Sequence, residues 1–363
     1  MRALFYIRRV ALVCGAAAVL AAAALAQGGL PLRASISTDE VTVQLQAGAS
    51  APRVLTLQAS RSAPWINGEP DPLIDSAITG GKSVPVSWRL NRPASSVTRK
   101  LAVFVYESSA PRMRLLWTWS ARSVSGPVEH SLSIENLSGG DVFLPVAQSL
   151  TWSWQLARSK NYDLMYVEKG GGKPSEIGTE VVTIRDGMRW SGDSSTYARE
   201  IAGRPREIIP FVLVQEKQSP HSGFYLGLEF SGRTRISLQR NGRLLRGSAG
   251  LNPEPAPGRL RLAAGEMFQS PVIFIGAAEG GTDSTGNRLR GWIRTALADS
   301  SAQADSRYPY LVLNSWGSGM AINEALARRM MGDAADLGFE MFHVDAGWFR
   351  GVGDWVPDPE KFP

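Results

Sequence analysis

What most constrains this chain is a two-residue hydrophobic period that recurs from about residue 33 to residue 300. Short apolar or alternating runs lie at Val41 to Leu45, Val54 to Leu57, Val84 to Trp88, Leu101 to Tyr106 and Leu115 to Trp119. More follow at Ser131 to Ile134, Leu150 to Trp154, Leu164 to Val167, Phe211 to Val214 and Phe224 to Leu228. Successive side chains of a strand point to opposite faces, so alternation with β-branched and aromatic content marks half-buried strands. Clusters of Gly, Pro, Asn and Ser separate the runs. Arg235 to Arg240, then Asn241-Gly242, then Arg243 to Leu245 read as a hairpin, since Asn-Gly suits a type I′ turn. No convincing helix interrupts the region before Asn287 to Leu297. Many short strands with turn signals predict a large antiparallel sandwich.

After Ser300 the pattern changes. Ser301 to Ser306 is a polar linker, and Tyr310 to Asn314 is a continuously apolar run of the kind a strand buried on both faces needs. Asn323 is placed to cap a helix, with Glu324 in the first turn where a carboxylate suits the helix dipole. Leu326, Met330, Ala334 and Leu337 fall on one helical face, and Gly338 suits the position after the helix end. Phe339 to Val344 is apolar again and ends on Asp345. This is one βαβ unit, hence two parallel strands joined by a right-handed crossover. The predicted fold class is thus β followed by α/β. The divisions are a leader over residues 1–26, a β domain over 27–300 and the start of an α/β domain over 301–363.

The leader has a positive start (Arg2, Arg8, Arg9), an apolar run from Val10 to Leu25 and a small-x-small site at Ala24-Leu25-Ala26. It reads as a signal peptide cleaved after Ala26, giving an exported protein with no membrane association afterwards; the alternative is a membrane anchor of minimal length. The single cysteine, Cys14, lies inside the leader and lacks the small neighbours of a lipid-attachment site. The mature chain therefore relies on its core and not on disulfides. Without the three leader arginines the formal charge falls from +6 to +3, with no basic run, which excludes nucleic acid as a partner. His130, His221 and His343 show no metal-ligand spacing, and no metal or cofactor is expected. The chain holds 11 Trp, which serve either as core or as platforms for sugar rings.

In parallel α/β folds, ligands bind at the carboxyl ends of strands. Two polar-aromatic clusters stand there: Asn314-Ser315-Trp316 after the first strand, and Asp345-Ala346-Gly347-Trp348-Phe349 after the second. A carboxylate accepts from vicinal hydroxyls, and an indole covers the apolar face of a sugar. Spacing alone leaves Asp345 open as a loop or capping acid, and Trp316 and Trp348 open as packing residues.

At these residues a resemblance becomes specific. Leu-Val-Leu-Asn-Ser-Trp316, the helix end Ala-Asp-Leu-Gly-Phe-Glu340, Phe-His-Val-Asp-Ala-Gly-Trp-Phe349 and Gly-Asp-Trp355 through Lys-Phe-Pro363 resemble glycoside hydrolase family 36, the α-galactosidase or melibiase type. Upstream, Gly223 to Gly232, Gly250-Leu-Asn-Pro253 and Ala264 to Pro271 are also similar. The likeness covers residues 125 to 363, and the last 60 carry most of its specificity. It implies an N-terminal β-supersandwich followed by a (β/α)8 barrel, and retaining hydrolysis of terminal α-galactosides by two carboxylates. It also implies substrate contacts from Trp316 and Asp345, with the nucleophile and acid/base expected beyond Pro363; Trp348 in the second strand-end cluster is the third candidate for substrate binding. The residues given are then a fragment without catalytic residues, expected to be inactive alone.

The sequence departs from the family in three ways. Its Asp-Asp pair is Asp345-Ala346 here, so one carboxylate that holds galactose hydroxyls is missing. Tyr162-Asp163 is present, but Glu168 to Lys173 offers Gly and Lys where tetrameric members place a Trp. The early acidic loop is not recognisable between Ala51 and Ser83. The exact sugar and homo-oligomer formation therefore stay open. One alternative is an α-N-acetylgalactosaminidase or a raffinose-synthase-like transglycosidase; another is a non-catalytic carbohydrate-binding protein.

Overall fold

Along Arg112–Ser120, Met113, Leu115, Trp117 and Trp119 are fully buried while the residues between them are partly exposed. That is the two-residue period turned into a strand with one face in the core. In this computed structural model the described residues are 31–59, 62–145, 148–168, 178–194, 207–252, 259–298, 304 and 306–363. The leader over 1–26 and most of Glu168 to Lys173 lie outside them.

The chain divides into two compact units between Trp292 and Ile293. The first is built from antiparallel sheets. Among the described residues the largest has ten strands. Its middle runs Ile208–Glu216, Ser219–Glu229, Val272–Ala278, Val128–Asn136, Arg112–Ser120. Three four-stranded sheets accompany it, one of them ordered Gln148–Gln155, Leu244–Leu251, Thr234–Asn241, Arg189–Ser194. Mostly antiparallel β structure with few helices is what the sequence pattern predicts.

The tryptophans are chiefly core. Trp65, Trp88, Trp117, Trp119, Trp152, Trp154 and Trp292 are all buried. Trp117 stacks on Phe104 with centroids 5.9 Å apart, and Trp65 meets Phe224 edge-on at 5.0 Å. Each such ring removes 150 Å² or more from water, roughly. The core also encloses the Asp71 carboxyl. Asp71 accepts from Trp117 Nε1 at 3.1 Å, from the Thr151 N–H at 3.2 Å and from the Thr151 hydroxyl. Burial outweighs these donors and pushes its pKa up to about 7.

Three expectations shift. Val84 to Trp88 is not one strand: Lys82–Pro85 ends at a proline, which has no N–H to extend the ladder. Val86 and Trp88 are buried from a loop instead, the Trp88 indole donating to the Ile74 carbonyl at 2.6 Å. The hairpin forms, but Asn241 pairs with Leu244, leaving Gly242 and Arg243 as the turn. Only Gly242 of the two has positive φ, +57°, which is the type II′ pattern and not I′. The helix expected over Asn287 to Leu297 lies at Gly281–Trp292, with Ile293–Leu297 in a wider π turn. Its start is polar, with Asp283 in the first turn, so hydrophobic period could not find it. Trp292 anchors its end against Phe274 at 5.2 Å and over Gly126, where any Cβ would come within 2.5 Å of the indole.

In the second unit, strands Val312–Asn314 and Met341–His343 pair in parallel, joined through helix Glu324–Asp336. The Asn323 side chain accepts from the Leu326 N–H at 2.9 Å, and Gly338 takes φ +79° just past the helix end. Ala327 and Ala334 are the buried helix positions, with Leu326 and Met330 half-buried beside them. Leu337, expected on that face, is 75% exposed because it sits at the cap, where the backbone leaves the helix. No helix among the described residues is long and apolar enough to cross a membrane.

Candidate functional site

The two parallel strands end side by side, Asn314 opposite His343. The next residues of each therefore meet in space although 30 residues separate them. Asn314 turns its amide both ways: Oδ1 accepts from the Trp316 N–H at 2.7 Å, and Nδ2 donates to Asp345 Oδ2 at 2.8 Å. Ser315 is fully buried between them, its Oγ accepting from the Asp345 N–H at 2.8 Å. Asp345 Oδ1 accepts from the N–H of Ala346 at 2.7 Å. The Ala346 N–H and the Asn314 amide hold the Asp345 carboxyl below its usual range, so it is an anion at neutral pH.

Trp316 is 56% exposed on a short 3-10 segment, Ser315–Ala321. Trp348 is different. It is half-buried, with Phe349 at 5.4 Å and Trp355 at 6.4 Å between centroids. Of the three residues singled out from sequence, Asp345 and Trp316 flank one strand-end pair through Asn314. Trp348 belongs to an aromatic cluster three residues further on.

Two supports of the site lie within motifs already singled out from the sequence, which carry no sign of what these residues do. Gly347 has φ +109°, and a Cβ there would lie 2.8 Å from the Met320 backbone, so only glycine fits. Lys361 Nζ donates to the carbonyls of Met320 at 3.0 Å and Gly347 at 2.8 Å, tying the final segment to both strand-end loops. The signal for Lys361 lies in Lys-Phe-Pro, but a lysine that serves backbone carbonyls looks like any surface lysine in sequence.

The chain combines an antiparallel β region with a βαβ unit whose strand ends carry an amide-bound carboxylate and an exposed tryptophan, and its relatives and solved structures liken it to the N-terminal region of glycoside hydrolase family 36 α-galactosidases. No family model matches the chain. Its sequence is similar to a probable α-galactosidase C of Aspergillus terreus, 28% identical over 248 residues, covering 65% of this chain and 32% of that protein. Similarity to α-galactosidase AgaA of Geobacillus stearothermophilus is 30% over 166 residues, 42% of this chain and 22% of that one. The crystal structure of that GH36 enzyme superposes with a TM-score of 0.71 at 18% identity, covering 92% of this chain and 53% of the enzyme. The Lactobacillus brevis α-galactosidase gives 0.68 at 16%, over 91% and 51%. The chain thus spans about a third of the first curated relative and half of these structures.

Proposed function

We propose that this chain is the N-terminal part of an exported retaining glycoside hydrolase that removes terminal α-galactosyl groups from oligosaccharides. The observation that carries the reading is the Asn314–Asp345 bridge at adjacent parallel strand ends, beside the exposed Trp316. In this reading the βαβ unit begins a (β/α)8 barrel, Asp345 accepts from sugar hydroxyls, and Trp316 covers the apolar sugar face. Trp348 shapes the pocket from its aromatic cluster. The nucleophile and the acid/base, which retaining enzymes hold about 5–5.5 Å apart, belong to later strands beyond Pro363. One attacks the anomeric carbon while the other protonates the departing oxygen, and water then frees the sugar. Support comes from AgaA variants whose structures contain stachyose and raffinose.

A second reading is favoured by Ala346. It stands half-buried where the family holds galactose with a second acid, which suits an altered sugar edge or an acceptor sugar. That describes an α-N-acetylgalactosaminidase or a transglycosidase of the raffinose-synthase kind. Expression of the complete reading frame tests both. Release of phenol from an aryl α-galactoside supports the first. Preference for the aryl α-N-acetylgalactosaminide, or transfer to an added acceptor, supports the second. A correctly folded product inactive in all three assays refutes both.

A further inference from the structure

The sheet ordered Gln148–Gln155, Leu244–Leu251, Thr234–Asn241, Arg189–Ser194 carries a groove of about 490 Å³ on its outer face. Register explains its banks. Thr151 pairs with Ser248, Ser248 with Ser237, and Ser237 with Ser191, so one hydroxyl from each strand lies in a line across the sheet. Two residues along, the line is Ser153, Arg246, Gln239 and Arg189. Between the lines, Trp152, Leu238 and the partly buried Trp190 turn inward to the hydrophobic core. Four strands at about 4.8 Å spacing make each line roughly 14 Å long, enough for about two to three pyranose rings.

One side of the groove is walled by Glu69, Pro70 and Pro72. This wall is fixed to the first strand. The Gly68 N–H donates to the Ser153 carbonyl at 2.8 Å, Asn67 Oδ1 accepts from the Ser153 N–H at 2.8 Å, and Asp71 holds Thr151. Glu69 takes the Arg246 guanidinium with two bonds, 3.0 and 2.5 Å, which neutralises that cation. Ser153 Oγ is buried without a well-formed hydrogen bond, though it lies close enough to Glu69 to help lower that carboxyl. The side chains of Ser191, Ser237, Ser248, Gln239 and Arg189 bond to no described residue.

We propose that this groove binds a stretch of neutral, polyhydroxylated glycan, independently of the strand-end site. Hydroxyls and an amide can both donate to and accept from sugar hydroxyls. The prolines offer an apolar wall to ring C–H faces, and the Glu69–Arg246 pair leaves too little positive charge to select a polyanion. The groove lies wholly in the first unit, so its binding does not depend on the role given to Asp345.

Affinity electrophoresis of the full chain tests this, in native gels containing galactomannan, hydroxyethylcellulose or dextran, with dextran sulfate as the polyanion. Retardation is expected in at least one neutral gel. Ser237→Trp, which fills the groove from an outward position, and the double variant Arg189→Ala with Gln239→Ala should both migrate as in polymer-free gel. Asp345→Asn should be retarded like the parent. Matching thermal midpoints establish that the variants fold, and the double variant decides if Ser237→Trp does not. The proposal is overturned by no retardation in any neutral gel or by retardation in dextran sulfate alone. Groove variants that still bind, or binding lost through Asp345→Asn, overturn it equally.

Discussion

Asp345 can serve a ligand because the protein uses only part of its acceptor capacity. An ionised carboxylate offers about four lone-pair sites, and here one oxygen takes the Asn314 amide and the other the Ala346 N–H. Asp345→Asn would keep the shape but put an NH2 against one of those donors and remove the charge. In the complete enzyme the specificity constant on an aryl α-galactoside should fall on the order of tenfold or more. Unchanged kinetics in a folded variant would remove Asp345 from the sugar site. Ala346→Asp should move selectivity toward galactose over analogues altered at that edge, read as a ratio of specificity constants. If residue 346 only fills volume, the ratio stays put.

Helix Glu324–Asp336 shows how far local signals reach. Both ends were legible, because a cap is a local event: Asn323 bonds three residues ahead, and Gly338 has the freedom its φ requires. Asn323→Ala should destabilise the helix by about 1 kcal/mol, while Asn323→Asp should cost little. Amide exchange at Leu326 measures it, and equal exchange in both variants would contradict the cap. Strand lengths were less legible. The apolar runs at 310–314 and 339–344 shorten to Val312–Asn314 and Met341–His343. A strand extends only as far as it finds a pairing partner, and hydropathy does not report partners.

For the whole molecule, two buried acids outweigh the buried His130 in the response to pH: burial lowers His130 to about 4, so its contribution grows as pH rises from about 4 to about 6.5, against theirs. Asp71 is raised from 3.8 to about 7, chiefly by burial. Glu129 is also raised to about 7 by burial, against the lowering pull of Arg122. Both bind a proton more tightly folded than unfolded. Their contribution is full below about pH 4 and is lost as pH rises through about 7, a change on the order of a few kcal/mol. Thermal midpoints should fall across that window, and Asp71→Asn should flatten the fall; a midpoint constant from pH 4 to pH 7 would refute this. Two further expectations concern the chain as a product. The exported form should begin at Gln27, so an intact mass retaining Met1 in a membrane fraction argues for an anchor. Residues 27–363 alone should not hydrolyse aryl α-galactosides, and turnover abolished by a substitution within them would place catalytic groups in this region.

The sequence by itself determined the β character of the first unit, the βαβ order of the second, the helix caps and the three aromatic and acidic residues at the strand ends. These follow from periodicity and from bonds made within a few residues. Tertiary structure alone decided that Asn314 and Asp345 touch and that Lys361 holds two loops. It also aligned Thr151, Ser248, Ser237 and Ser191 across four strands. Such contacts join residues far apart in the chain, and pairing register, which local chemistry leaves undetermined, is what brings them together.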